Sequence, residues 1–164
     1  MEAAEHWPQW AVALQNSGLG IVIRHSTWVY PLGNVIHVLG VALLVGSILA
    51  LDFRFLGFGR RHVPLEAASR LLTPIAVGGI VLLVPGGLIL FIADAGPLAA
   101  NSLLQIKLAL VALGLANAAL FRLWWSGKIG GWDAEPPGAS RAQVLASIAI
   151  WIAVPTIGRL IAYL

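Results

Sequence analysis

Four long apolar stretches with almost no charge constrain this chain more than any other feature. From Pro31 to Leu51 the only ionisable residue is His37, and Ile75 to Ala93 contains none. About 20 apolar residues are enough to cross the hydrocarbon core of a bilayer as a helix. The sequence therefore predicts transmembrane helices at residues 31–51, 75–93, 103–121 and 143–163.

The composition agrees with a chain that is surrounded by lipid. Hydrophobic residues make up 59% and charged residues 10% of the chain, whereas soluble domains average about 45–50% apolar and about 25% charged residues. The net charge of +3 comes from basic residues between the apolar stretches, a pattern typical of membrane topology and not of nucleic-acid binding. We predict one all-α membrane domain, residues 1–164, folded as an integral membrane four-helix bundle.

The segment before the first span, residues 7–28, mixes tryptophans and aliphatic residues with several polar side chains. It is too polar to cross a bilayer, and tryptophan favours the headgroup layer. We predict an amphipathic interfacial helix on the outer surface. The alternative is that Ala11 to Ile23 forms a re-entrant segment or a fifth span.

The positions of the basic residues predict the orientation. Those between spans one and two, and those around the third connection, are Arg54, Arg60, Arg61, Arg70, Arg122, Lys128 and Arg141. The connection at 94–101 has none, and basic connections stay in the cytoplasm. We therefore expect both termini outside. Asp52 and Arg54 mark the point where span one meets water, so that no ionisable residue interrupts the inner halves of the spans.

Local patterns predict helix starts and one close contact. Ser102 and Gln105, and again Ser140 and Gln143, have the spacing of a capping box, which predicts that spans three and four begin there. The Pro85-Gly86-Gly87 triplet predicts a bend in span two and a neighbouring helix pressed against a glycine.

His37 is the sharpest candidate for function, because ionisable groups inside a membrane are costly. Gly33 and Gly40 lie on the same helical face, about one turn away on either side. This arrangement leaves room for a flat, bulky ligand or for a helix pressed close. The alternative role is structural: a neutral imidazole bonded across a helix interface.

Three further basic side chains fall in the outer half of the predicted bundle. Lys107 lies near the positive end of its helix dipole, so an anionic group is expected nearby, although it could also extend to the interface or pair with Asp94. Arg159 and Arg24 lie on the same side. Together these side chains could bind the propionates of a haem b.

A haem in this chain must use histidine, since the sequence has no cysteine. His37 is the first candidate iron ligand. On one straight helix His25 would lie about 18 Å away by rise, so His25 can be the second ligand only if the chain reverses near Pro31. His6 is the alternative.

The predicted function follows from this set. Nothing in the sequence matches a catalytic motif of soluble enzymes. We expect a small membrane protein that binds haem b and transfers electrons near the outer face, to quinone or to a redox partner protein. The alternatives are a transport or metal-handling protein built around His37 and Lys107, and a structural or assembly subunit. The lipid bilayer is the predicted partner, and a homo-oligomer is a further candidate assembly.

Several segments together resemble a known family. They are Tyr30-Pro31, His37-Val38-Leu39-Gly40, Asp52-Phe53-Arg54-Phe55-Leu56-Gly57, Phe91-Ile92-Ala93-Asp94 and the stretch from Lys107 to Asn117. From Ile23 to about Asn117 the chain resembles a family of small bacterial inner-membrane proteins of unknown function. The resemblance implies a four-helix membrane fold in the bacterial inner membrane and no particular activity. An acidic residue is expected near Asn34, so the chain departs from the pattern there. The layout is also loosely similar to cytochrome-b-type bundles.

Overall fold

The computed structural model describes residues 7–125, 138–161 and 163. Within these residues all regular structure is helical. The helices are α1 (Gln9–Gln15), α2 (Gly18–His25), α3 (Val29–Phe55), α4 (Leu65–Ala93), α5 (Ala95–Ala100), α6 (Ser102–Trp125) and α7 (Gly138–Leu160).

Four of these helices, α3, α4, α6 and α7, are long and apolar enough to cross a membrane. The shortest has 23 residues, which at about 1.5 Å per residue exceeds a hydrocarbon core of about 30 Å. The prediction of an all-helical chain is confirmed for the described residues, as is the prediction of four helices long and apolar enough to span a membrane.

α3, α4 and α6 extend beyond the predicted spans, whereas α7 begins before its predicted start and ends at Leu160, before the predicted end at 163. α3 continues to Phe55, and α4 begins at Leu65, before the predicted start at Ile75. In the added first turns of α4, Glu66 and Arg70 form an ion pair at 2.6 Å with i, i+4 spacing, which favours helix in water. An uncharged stretch marks the part of a helix that lies in lipid, whereas the helix itself ends where its hydrogen bonding ends.

The predicted capping boxes are wrong in detail. The side chain of Asn101 accepts hydrogen bonds from the Leu103 and Leu104 amides at 2.9 and 3.2 Å, so Asn101 caps α6. In α7, which begins at Gly138, the side chain of Gln143 bonds to α6. The Gln143 side chain therefore joins α7 to α6.

The four long helices form an open row. α3 packs against α4 and also against α7, and α7 packs against α6, whereas α4 and α6 have no extensive contact. The order across the row is α4, α3, α7, α6. Along the length of the helices the row has two ends. One of them, called the basic end, contains residues 56–64, which join α3 to α4. The other end, the α5 end, contains α5 and the two N-terminal helices.

α3 and α4 approach through glycines. A Cβ atom at Gly40 would lie 2.5 Å from the Leu83 amide nitrogen, and one at Gly79 would lie 2.5 Å from the Leu44 nitrogen. One at Gly86 would lie 2.6 Å from the His37 nitrogen. Only residues without a side chain allow two helix backbones this close. The prediction that the glycines after Pro85 contact another helix is confirmed, and that helix is α3.

α6 and α7 are joined by a polar clasp and a tryptophan. Gln143 Nε2 donates to the Asn117 carbonyl at 3.2 Å, and Asn117 Nδ2 donates to the Gln143 carbonyl at 3.3 Å. Trp125 Nε1 donates to Gln143 Oε1 at 3.1 Å. Trp151, which is 1% exposed, packs over Gly114. These contacts fix the register of the two helices.

The segment predicted as one amphipathic helix at 7–28 is two short helices, α1 and α2. The chain breaks at Ser17, whose hydroxyl accepts from the Gly20 amide at 3.2 Å and caps α2. With 7 and 8 residues, neither helix can cross a bilayer, so the alternative of a fifth span is not supported. Gln15 Oε1 accepts from the Gly96 amide at 2.8 Å, which holds the segment against α5.

Candidate functional site

His37 binds the neighbouring helix through its ring. Its Nδ1 lies 3.1 Å from the Leu83 carbonyl oxygen, and because a carbonyl only accepts, Nδ1 carries the proton and donates. The two glycines beside His37 do not face an open slot: a Cβ at Gly33 would meet Ile89, and one at Gly40 would meet Leu83. The close helix, and not space for a flat ligand, fills this face of α3.

The opposite ring nitrogen, Nε2, has no hydrogen-bond partner among residues 7–125, 138–161 and 163. Lys107 of α6 is close enough to interact electrostatically with His37, so the structure brings these two predicted site residues to one region. Lys107 is half-buried, and its side chain crosses α7 at Gly158. In the described part of the chain Lys107 has no ion pair with Asp94, which is exposed at the junction of α4 and α5.

The other predicted site residues have different surroundings. Arg24 donates from Nη1 to the carbonyl of Ala93 at 3.2 Å, at the end of α4, where a cation suits the helix dipole. Arg159 is exposed; its Nη2 donates to the Tyr163 hydroxyl at 2.8 Å. Both arginines therefore have structural contacts at the α5 end.

His25 is exposed at the end of α2 and makes no hydrogen bond to His37 in the described residues. Residues 26–28 join α2 to α3, and Pro31 lies inside the first turn of α3. His6, the alternative second ligand, falls outside the described residues. The structure therefore brings His37 and Lys107 to one region and, in the described residues, does not join His37 to a second histidine.

A large cleft lies at the basic end, between α4 and α6. Its volume is about 640 Å³, and all four long helices line it. Most of the lining residues are aliphatic or aromatic. The uncharged polar side chains are Ser47, Ser69, Thr73, Asn117, Gln143 and Ser147. Because α4 and α6 do not pack together, the cleft is open on the side where these two helices face each other.

Asp52 lies in the wall of this cleft and is only 7% exposed. The Ser147 side chain of α7 lies close to its carboxyl group and stabilises the negative charge there. The second carboxyl oxygen, Oδ2, is buried and has no hydrogen-bond partner in the part of the chain that the structure describes. A buried acceptor without a donor is uncommon and calls for a specific explanation.

Asp52 and Arg54, predicted to mark the point where span one meets water, are not open to solvent. Both are buried, at 7% and 6% exposure. Arg54 Nε donates to the Val63 carbonyl at 2.7 Å and so ties α3 to residues 56–64. α3 continues for another turn past the apolar stretch, and this turn carries Asp52 into the cleft.

A periodic signal in the sequence could have identified Ser147. The buried residues of α7 follow alternating steps of four and three: Ser140, Val144, Ser147, Trp151 and Val154. Such spacing marks one helix face that is turned toward its neighbours. Two serines on that face indicate a polar patch in the interior.

Other charged residues of the lining lie around the mouth of the cleft. Glu66 and Arg70 form the exposed ion pair of α4, and Arg122 is exposed on α6. Asp52 is the buried charged residue of the lining.

Comparison of the chain with family models, with curated proteins and with solved structures finds no match.

Proposed function

We propose that this chain is a multi-pass membrane protein that binds a small amphiphilic molecule in the cleft between α4 and α6, as a transport or binding protein. The observation that carries the proposal is Asp52 Oδ2, buried in the cleft without a hydrogen-bond partner in the described residues. An ionisable group inside a membrane bundle is costly and marks a functional site by default.

The dimensions of the cleft support the proposal. Small-molecule sites typically occupy about 300–1,000 Å³ and combine apolar walls with a few polar groups, and the cleft has about 640 Å³. Its walls include Leu44, Ile48 and Ile80, with Asp52 as the buried polar anchor. A ligand with an apolar body and a hydrogen-bond donor matches both parts.

The orientation belongs to the same proposal. The connection at the basic end contains Arg60 and Arg61, and basic connections favour the cytoplasm. The α5 end then faces outward, in a bacterial inner membrane according to the family resemblance. There, α2 would lie in the interface, because Leu19 and Val22 are 57% and 60% exposed and apolar side chains of this kind enter the headgroup boundary.

Cysteine labelling tests the site, because the chain has no cysteine of its own. Ala118 lines the cleft, and Ala116 on the same helix is exposed outside it. In lipid nanodiscs, N-ethylmaleimide should modify both Ala118→Cys and Ala116→Cys. Octanol should slow the reaction of the first and leave the second unchanged. Equal effects of octanol on the two variants would remove the support for a binding site.

A second candidate function is haem b binding near His37, with electron transfer to quinone or to a redox protein. One observation favours it: the Leu83 carbonyl holds Nδ1 and leaves Nε2 as a lone pair, as in many ligating histidines. Lys107 could bind a propionate. The fit is partial, since the glycine positions beside His37 are filled by α4 and no second described histidine contacts it.

An absorption spectrum of protein produced with ample haem tests this candidate. A Soret band that His37→Ala abolishes would support it. The matched control is His62→Ala, because His62 is exposed at the basic end and its replacement should leave the band intact. Colourless protein would refute haem binding. A native spectrum of His37→Ala would refute His37 as the ligand.

A further inference from the structure

We infer that the ligand of the cleft is an amphiphilic amine, whose ammonium group donates to Asp52 while its apolar body lies between α4 and α6. This inference rests on the proposed function and adds the chemical class of the ligand.

Around Asp52 there are fewer hydrogen-bond donors than its carboxyl group can accept. Ser147 lies close to the carboxyl group, but the buried oxygen Oδ2 has no hydrogen-bond partner in the described part of the chain. The amide donors on the facing helices are engaged elsewhere: Gln143 Nε2 donates to Asn117 and Asn117 Nδ2 donates to Gln143. The cleft thus offers an unmet acceptor. It selects a ligand that donates.

The charge of Asp52 favours a positively charged donor. A carboxylate is an acceptor with negative charge, and an ammonium group supplies three donors and a positive charge. A hydroxyl group supplies a single donor without charge. At the mouth of the cleft Glu66 and Arg70 neutralise each other at 2.6 Å, and Arg122 is exposed, where solvent screens its charge. An ammonium group is therefore the donor that best compensates Asp52.

The walls of the cleft suit the apolar body of such a ligand. Beside Asp52 and the polar residues of the lining, they include the aliphatic side chains of Ile48 on α3, Val77 and Ile80 on α4, and Leu115 on α6. Val77 is 52% exposed and Leu115 is 36% exposed, on the side where α4 and α6 do not pack together. Acyl chains of the bilayer have access to such an opening, so an alkyl chain can enter from the lipid while the amine reaches Asp52.

The test extends the labelling assay on Ala118→Cys in nanodiscs of zwitterionic lipid. Octylamine, octanol and octanoate share the same chain length and differ in the head group. Octanol and octylamine can both donate a hydrogen bond to Asp52, but only octylamine also brings a positive charge to the carboxylate. We therefore expect a half-protecting concentration at least about tenfold lower for octylamine than for octanol. In Ala118→Cys with Asp52→Asn this difference should disappear, and octanol should protect as before.

The outcomes separate the two proposals. Equal protection by octylamine and octanol, or the strongest protection by octanoate, overturns the amine inference and leaves the proposed binding site standing. No protection by any of the three compounds overturns both. A tenfold preference for octylamine that persists with Asp52→Asn also overturns the inference, because another group must then bind the amine. If Asp52→Asn does not fold, the comparison of octylamine with octanol on the Asp52 protein decides the question alone.

Discussion

Replacing Gly79 with alanine should weaken the contact between α3 and α4, because this contact depends on two backbones touching. A Cβ at Gly79 would lie 2.5 Å from the Leu44 nitrogen and 2.9 Å from the Gly40 carbonyl oxygen. Heavy atoms normally stay about 3.5–4.0 Å apart, so α3 must withdraw by about 1 Å. Backbone atoms cannot rotate away as a side chain can.

The chain supplies a matched control beside this position. Gly78 is in the same helix, and a Cβ there would meet nothing within 4 Å. Gly78→Ala should gain up to about 1 kcal/mol from helix propensity. Gly79→Ala has the same gain, offset by an overpacking cost of typically about 1–3 kcal/mol. We therefore expect Gly79→Ala to be less stable than Gly78→Ala by about 1–3 kcal/mol.

Unfolding in a titration of mixed micelles with dodecyl sulfate, followed by circular dichroism, measures this difference. Gly40→Ala, on the facing helix, should show the same loss, since its Cβ would lie 2.5 Å from the Leu83 nitrogen. Equal stability of Gly78→Ala and Gly79→Ala would refute the argument that close backbone contact holds α3 against α4.

Two further predictions concern the α6–α7 pair and the topology. Gln143→Leu removes the acceptor of Trp125 Nε1 and the donor to the Asn117 backbone carbonyl, and each hydrogen bond lost typically costs about 0.5–1.5 kcal/mol. The control is Gln105→Leu, which loses one exposed bond to Ala99; equal midpoints of thermal unfolding for the two variants would contradict the clasp. A reporter enzyme that is active only in the periplasm should be active when fused after Leu164 and inactive after Arg61, because basic connections remain in the cytoplasm; the reverse pattern would refute the orientation.

The sequence predicts the four long helices well, because a bilayer needs about 20 apolar residues and the length of an apolar stretch can be read directly from the sequence. It predicts the ends of these helices less well. From the sequence, Asp52 is predicted to lie at the boundary between membrane and water, because charged residues normally contact water. In the structure Asp52 lies close to Ser147 of α7, almost 100 residues later in the chain. No local sequence pattern predicts such a long-range contact.

His37 shows a different limit. Its flanking glycines are equally compatible with a ligand slot and with a close helix, because both need an absent side chain. Only the packing of Gly79 and Gly86 from α4 decides between them. The open row of helices is likewise invisible to periodicity, because α4 and α6 present apolar faces whether they meet each other or lipid.

Photo-cross-linking tests most directly whether a small amphiphile binds in the cleft. A diazirine-bearing octanol would be activated on the protein in nanodiscs, with and without excess octanol, and the modified residues identified by peptide mass spectrometry. We predict that the labels lost on competition lie on the cleft walls, at Ala76 and Ile80 of α4 and at Leu115 and Ala118 of α6. Labels that compete only on outward faces, at Val81 or Leu108, or labels that do not compete at all, would contradict the account.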